Sequence, residues 1–376
     1  MPEPLLITGA RIVDRGAVVE DGWVRFADGL VAARGAGAPP PAADEVLDAA
    51  GGTLVPGFVD AHVHGGGGAG AIDAAGIATA LGTHRRHGTV RSVVSLVSEP
   101  VDDLAARLTD LAPVVRADPL LLGVHLEGPF LSPDARGAHD PAVLVPPTAE
   151  AVEALLAAAD GTLAQVTIAP ELPGAIEAVR RFVRAGVRVA VGHTTADTAT
   201  AAAAFDAGAT LLTHAFNAMP GFGHRAPGPI GAALADPRVV LEVIADGHHV
   251  DPVVVAALFR MAPGRVALIT DAMAAAGAAD GEYRLGSLDV TVRDGQARLP
   301  SGSLAGSTLT LDAALRTAVA AGVPLPEAVA AATTVPARAL GRHDLGVLTT
   351  GSPADAVLLG PDLEVRRVWA EGRPLP

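Results

Sequence analysis

The sequence predicts an α/β protein: a (β/α)8 TIM-like barrel inserted into a small β-sandwich domain formed by both termini. Three observations carry this. Eight near-continuous apolar runs of strand length follow one another between residues 54 and 270, with helix-like stretches between them. The ends of these runs are repeatedly polar, in histidine, serine and carboxylate. Both ends of the chain carry short strands with turn signals, and neither end alone is long enough to bury a core.

Taken in order, residues 4 to about 55 read as the strands Leu5–Gly9, Arg11–Val13 and Gly22–Phe26, with turns at Asp21-Gly22 and Asp28-Gly29. Residues 35 to 43 are Gly, Ala and Pro and read as a surface loop. The barrel runs are Leu54–Val63, Val90–Val97, Leu120–Leu126, Leu163–Ala169, Val187–Val191, Thr210–Thr213, Val239–Ala245 and Val266–Thr270. Helix-like segments lie between them at Val101–Leu111, Ala149–Ala159, Ile176–Ala185 and Thr198–Ala207. Residues 282 to 299 read as an inserted hairpin, and 309 to 341 as two helices broken at Gly322–Pro326. The tail returns to strands at Gly346–Leu348, Ala354–Leu359 and Val365–Trp369. Pairing this tail with the N-terminal strands puts residues 1–55 and 345–376 in the small β domain and 56–344 in the barrel.

Composition removes several kinds of function. A formal charge of -14 disfavours nucleic acid as a partner. No apolar run is long enough for a membrane span, and the N-terminus lacks a signal-peptide pattern, so a cytoplasmic location is expected. With no cysteine, disulfides, thiolate metal sites and a cysteine nucleophile are excluded. There is no lysine either, which removes a lysine Schiff base, a P-loop lysine and a carbamylated lysine bridge. Any bridging oxygen ligand must be a carboxylate.

The strand ends carry the chemistry. His62 and His64 lie two apart on a strand, so both rings point the same way. Glu127, His193, His214 and Asp271 each follow a later apolar run. Four imidazoles and two carboxylates suit one or two divalent transition metals such as Zn or Fe. A bound metal brings water towards deprotonation at neutral pH, and a nearby carboxylate can carry its proton to a leaving group. Asp271 is the best placed for that shuttle. His125 shares a face with Glu127 and is either a neighbour of the ligands or a packed barrel histidine. His84, His87 and His343 read as ordinary surface residues, and His224 and His248 as flanking ones.

Several blocks are more specific than spacing alone. They are Pro56–Gly65, His125–Phe130, Gly137-Ala138-His139, Val191–Thr194, His214–Met219, Ala245–His249, Thr270–Met273 and Leu304–Leu309. Through them the chain resembles the amidohydrolase superfamily and, within it, the N-acetylglucosamine-6-phosphate deacetylases, over nearly its whole length. The resemblance implies removal of acetate from an N-acetylamino sugar 6-phosphate. It implies a divalent metal cofactor, Zn before Fe, Mn or Co, with Glu127, His193 and His214 on the principal ion. His62 and His64 would hold a second ion, with Glu127 bridging. Asp271 would activate water and then protonate the amine. His139, Asn217, Ala218, Arg225 and His249 would contact the substrate. A homodimer with a phosphate pocket shared between subunits is implied as well.

Three rivals stand beside this reading. One is a deacetylase of another N-acetylhexosamine phosphate, such as the galactosamine isomer. Another is a cyclic amidohydrolase. The third is a non-catalytic assembly protein on an amidohydrolase scaffold, which the retained set of six ligand candidates disfavours.

Overall fold

Near-continuous apolar runs form strands that are buried on both faces, as a parallel sheet covered by helices requires. The computed structural model describes residues 3–39, 41 and 45–376. Eight parallel strands pair there in sequence order: Phe58–Val63, Thr89–Leu96, Leu121–Glu127, Leu163–Ile168, Arg188–Val191, Leu211–Leu212, Val240–Ile244 and Val266–Ile269. They are the first to eighth barrel strands below. The end of the eighth returns to the first, since the Asp271 N–H donates to the His62 carbonyl at 2.9 Å and Val63 bridges Ala272. The result is a nearly closed TIM-like barrel.

Helices cover its outside because one stripe of each is apolar. In Ala175–Arg184 the buried residues are Ala175, Ala178, Val179 and Phe182, one face of a 3.6-residue period. Several helices start at a capping side chain, as Thr148 accepts from the Ala151 N–H and Asp197 from the Thr200 N–H. Ala74–Arg86, Gly228–Ala235 and Pro252–Met261 complete helices that the sequence pattern left unassigned. No helix among the described residues is long and apolar enough to cross a membrane.

The termini build one eight-stranded sheet from Leu5–Asp14, Ala17–Ala27, Leu30–Ala36, Glu45–Asp48, Thr53–Pro56, Ala356–Leu359, Val365–Ala370 and Arg373–Pro374. Thr53–Pro56 lies parallel to Leu5–Asp14 and antiparallel to Ala356–Leu359, so the two ends of the chain meet there. Phe26 and Trp369, on strands distant in the sheet order, meet edge to face at 6.3 Å. The sheet therefore folds over its own core as a sandwich does. Arg91 ties it to the barrel, donating to Asp355 and to the Pro119 carbonyl at 2.7 Å and to Glu371 at 3.2 Å.

Several expectations for individual elements are corrected. The first apolar run is two strands, because Gly57 passes the chain from the terminal sheet into the barrel; a Cβ there would lie 2.6 Å from Val90. The insert has three strands, Gly281–Leu285, Leu288–Arg293 and Gln296–Arg298, because Asp294-Gly295 turns the chain a second time. Residues 309 to 341 hold three helices, Leu311–Ala320, Leu325–Ala332 and Thr334–Ala339, since Thr333 breaks the second run at φ -133° and ψ -86°. Residues 346 to 348 are not a strand. Their carbonyls serve side chains instead, that of Leu348 accepting from Arg34 and that of Val347 from Ser352. Of the expected loop at 35–43, residues 40, 42 and 43 lie outside the described residues, and Leu30–Ala36 is strand.

Candidate metal centre and active site

The barrel brings the polar strand ends to one mouth. His62 lies on the first strand and His64 just past it, while Glu127 ends the third. His193, His214 and Asp271 each lie two residues beyond the fifth, sixth and eighth strands. Their φ values are 47°, 27° and 48°, in the left-handed region that residues with a Cβ seldom occupy. At each, the chain turns as it leaves the strand and the side chain faces the mouth.

Glu127 is the hub. Its Oε1 lies 3.0 Å from His214 Nε2, 3.1 Å from His193 Nε2 and 3.5 Å from His62 Nε2. Its Oε2 lies 3.1 Å from His64 Nε2. Asp271 Oδ1 is 3.2 Å from His64 Nε2 and 3.4 Å from His62 Nε2. The Nε2 atoms of His62 and His64 face each other at 3.0 Å, as do those of His193 and His214. All six side chains are buried. Imidazole nitrogens and carboxylate oxygens converging in this way fit a divalent transition metal by donor chemistry.

Hydrogen bonds on the far side of the rings fix which nitrogen is free. His64 Nδ1 faces the Ser95 carbonyl and His193 Nδ1 the Ala135 carbonyl, each at 3.0 Å. A carbonyl only accepts, so the neutral ring carries its proton on Nδ1 and turns its Nε2 lone pair to the mouth. His139 is the reverse. The Ser98 N–H donates to its Nδ1 at 3.2 Å, so its Nε2–H points at Glu127 Oε2, 3.4 Å away. His139 is thus a hydrogen-bond donor in the mouth.

Burial alone would raise the Glu127 pKa. The neighbouring imidazoles, His62 first and then His139, His193 and His214, outweigh it and hold the carboxyl well below its usual range. Asp271 is held down against burial by His62 and His64. The same two rings are raised against burial by these carboxylates, Glu127 leading for His62 and Asp271 for His64. Both acids therefore stay ionised, the form that a metal ligand or a base requires.

Behind them lies a buried polar layer that the sequence pattern did not single out. Asp60 accepts the Thr270 hydroxyl at 2.6 Å and the His62 N–H at 3.2 Å, and burial pushes its carboxyl up to about 6 against those bonds. Glu242 and Gln165 are fully buried in the same barrel. A charged residue inside the apolar run Val239–Ala245 was the available signal. His125 has both nitrogens satisfied, by Ser95 Oγ at 2.9 Å and Thr167 Oγ1 at 2.8 Å, and packs against His62. Burial and then His62 hold it well below the usual imidazole range, so it is a neutral packed neighbour.

The reading of His84 as a surface residue is wrong. Helix Ala74–Arg86 turns it inward, it is fully buried, and its Nε2 lies 2.9 Å from the Gly65 carbonyl. His87 is half-buried beside Asp312. His343, His224 and His248 are exposed.

A cavity of about 270 Å³ opens over the cluster. His139, Asn217, Ala218 and His249 line it, with Asp246 bracing the His249 ring at 2.7 Å. Leu285 from the inserted sheet and Leu304 supply apolar walls that the sequence reading missed. Arg225 is not brought in; it is exposed on the loop before Gly228–Ala235. The arrangement can hold a metal beside an ionised acid and admit a small polar substrate.

The amidohydrolase family matches residues 53–375. The chain is 40% identical over 371 residues to the N-acetylgalactosamine-6-phosphate deacetylase of Escherichia coli O157:H7, covering 96% of this chain and 97% of that protein. It is 35% identical over 378 residues to the N-acetylglucosamine-6-phosphate deacetylase of Bacillus subtilis, covering 97% and 95%. Among solved structures it is similar to an aspartate-to-alanine variant of N-acetyl-D-glucosamine-6-phosphate deacetylase from Mycobacterium smegmatis, in complex with N-acetyl-D-glucosamine-6-phosphate. The two are 43% identical, with a TM-score of 0.95 and 99% of each chain covered.

Proposed function

The chain belongs to the amidohydrolase family, and on that premise we propose that it is a metal-dependent deacetylase. It removes acetate from N-acetyl-D-glucosamine 6-phosphate to leave D-glucosamine 6-phosphate. The observation that carries the reading is the convergence of four imidazole Nε2 atoms on Glu127 and Asp271 below a polar cavity. A non-catalytic scaffold has no use for that set, and nothing in the cavity favours a cyclic amide.

Glu127, His193 and His214 would hold the principal ion, and His62 and His64 a second, with Glu127 placed to serve both. Zinc is the proposed metal; iron, manganese or cobalt would suit the same donors. When bound, the metal supplies Lewis acidity and lowers the pKa of water. Asp271, ionised and against the mouth, would take a proton from the attacking water as its oxygen bonds the acetyl carbon. It would then give the proton to the departing nitrogen, so the C–N bond breaks to acetate and amine. The His139 Nε2–H donates in the mouth and orients the acetamide. Asn217 and the Ala218 backbone hold the sugar, and His249 and Arg225 its phosphate.

Because Arg225 is exposed outside the cavity of its own subunit, its role fits a homodimer in which one subunit completes the other's phosphate pocket. A cytoplasmic enzyme in amino-sugar metabolism, built as residues 1–55 with 345–376 around a barrel of 56–344, completes the proposal.

The test is metal analysis with an acetate-release assay on N-acetylglucosamine 6-phosphate. The galactosamine isomer is the comparison substrate, since the 40% identical relative carries that name. Metal-loaded protein that releases no acetate from either sugar would overturn the reading.

A further inference from the structure

We propose that Glu242 is a positioning residue for the second metal ion: it accepts the His62 Nδ1–H and so fixes the ring whose Nε2 faces that ion. The inference rests on the metal reading above.

Glu242 lies inside the seventh barrel strand and is fully buried. Gln165 Nε2 donates to its Oε1 at 3.0 Å, but its Oε2 has no hydrogen-bond partner among the described residues. His62 Nδ1 has none either, and the two unpartnered atoms are 3.9 Å apart. His62 Nε2 points at Glu127, Asp271 and His64. A neutral ring that offers its Nε2 lone pair to a metal must carry its proton on Nδ1. That N–H is buried, and buried donors in folded proteins find acceptors. The separation is about 1 Å longer than a typical N–H···O bond. No other described residue holds Oε2, so a small rotation of the Glu242 carboxylate closes it.

The acceptor also differs in kind. His64 and His193 are held from behind by neutral backbone carbonyls. His62 alone of these three has a carboxylate, which raises the basicity of a ligand ring more than a carbonyl does. Grip on the second ion thus depends on one buried side chain. Gln165 steers it by holding Oε1.

The test is Glu242→Gln, which keeps the shape and an acceptor for Gln165 but gives up the charge. Metal per subunit is measured on zinc-loaded protein against graded chelator. The variant should lose its second ion at about 10–100-fold lower chelator than wild type and keep the first. Adding Glu242→Gln to His62→Asn should cost no more of the second ion than His62→Asn alone. Equal retention of both ions by the variant and wild type would overturn the role of Glu242, as would selective loss of the first ion. A wild type that never takes up a second ion would overturn the two-ion reading and this inference with it. A variant that does not fold leaves a direct measurement on the unaltered protein. In the ¹⁵N spectrum of histidine-labelled, zinc-loaded enzyme, the His62 ring, assigned by its loss in His62→Asn, should be protonated at Nδ1 and strongly hydrogen-bonded there. A proton on Nε2, or a weakly bonded Nδ1–H, would overturn the proposal.

Discussion

His62 and His64 share one strand end, and neither lies in the left-handed region, whereas Glu127, His193 and His214 come from three different strands. The first pair is held from outside. The His64 N–H donates to the Ala272 carbonyl at 2.8 Å, its ring faces the Ser95 carbonyl, and the next carbonyl is capped by His84. In the second group His193 and His214 are also aimed by their own backbone, both at positive φ. The pair is a local motif that any strand could present. The group exists only once the third, fifth and sixth barrel strands have paired, so its geometry is a product of the whole fold.

Glu127 is the one residue that both halves share, and removing it should have the largest effect. Glu127→Ala should strip bound metal and abolish acetate release. His62→Asn with His64→Asn should instead lower the metal stoichiometry and leave some activity. Metal content per subunit and acetate release on one preparation separate the two cases. Full metal content in Glu127→Ala would refute the shared-ligand assignment.

Asp271 faces the first pair, His62 and His64, and lines the cavity. Amide hydrolysis needs one proton taken from water and one delivered to nitrogen; a bound metal would ease only the first, and both need a group that can carry the proton. Asp271→Asn should lower kcat by at least about a thousandfold, from a general acid–base contribution of roughly 10²–10⁴-fold and disturbed water activation. Substrate affinity and the main ion should largely survive. Near-wild-type kcat would sink the mechanism, and complete loss of metal would recast Asp271 as chiefly a ligand.

For the proposed phosphate contacts the comparison is between a residue inside the cavity and one outside it. His249→Ala and Arg225→Ala should each raise KM for the phosphorylated sugar far more than for unphosphorylated N-acetylglucosamine. Loss of a charge-assisted contact is worth roughly 1.5–3 kcal/mol, or about 10–150-fold. Equal losses on both sugars would remove these residues from the phosphate site. If Arg225 acts across a dimer, mixing Arg225→Ala and Asp271→Asn subunits should restore some activity.

How legible each part was follows from its periodicity. The eight strands could be read because a strand covered on both faces is apolar without interruption, and its polar end then stands out. His62 and His64 were visible through the two-residue period, and Glu127, His193, His214 and Asp271 as strand ends. Asp60, Gln165 and Glu242 were not, because one polar residue within a run looks like noise until the barrel shows what it faces. His84 was misread because helix Ala74–Arg86 has a weakly amphipathic, alanine-rich pattern that does not announce its inner face. The left-handed turns at His193 and His214 left no mark in sequence, since neither is glycine.

The smallest effect is expected at His84, and it bears on how the first pair is supported. Burial pushes its imidazole down to about 4, against the bond to the Gly65 carbonyl. An unfolded imidazole titrates near 6.5. Between these values the unfolded chain binds a proton that the folded one refuses, so stability falls as pH falls. The contribution is fully present above about pH 6.5 and is lost progressively as pH drops from there through about 4. His84→Gln can still donate to the Gly65 carbonyl but cannot take up a proton. It should match wild type at neutral pH in metal content and kcat. Between pH 7 and 5 it should lose about 2 kcal/mol less stability than wild type, since every other titrating group is common to both proteins. Denaturant unfolding at the two pH values measures the difference. Identical acid slopes would mean that His84 opens to solvent before the protein unfolds. The strand end carrying His62 and His64 would then be the more loosely held half of the site, the reverse of what its outside supports lead us to expect.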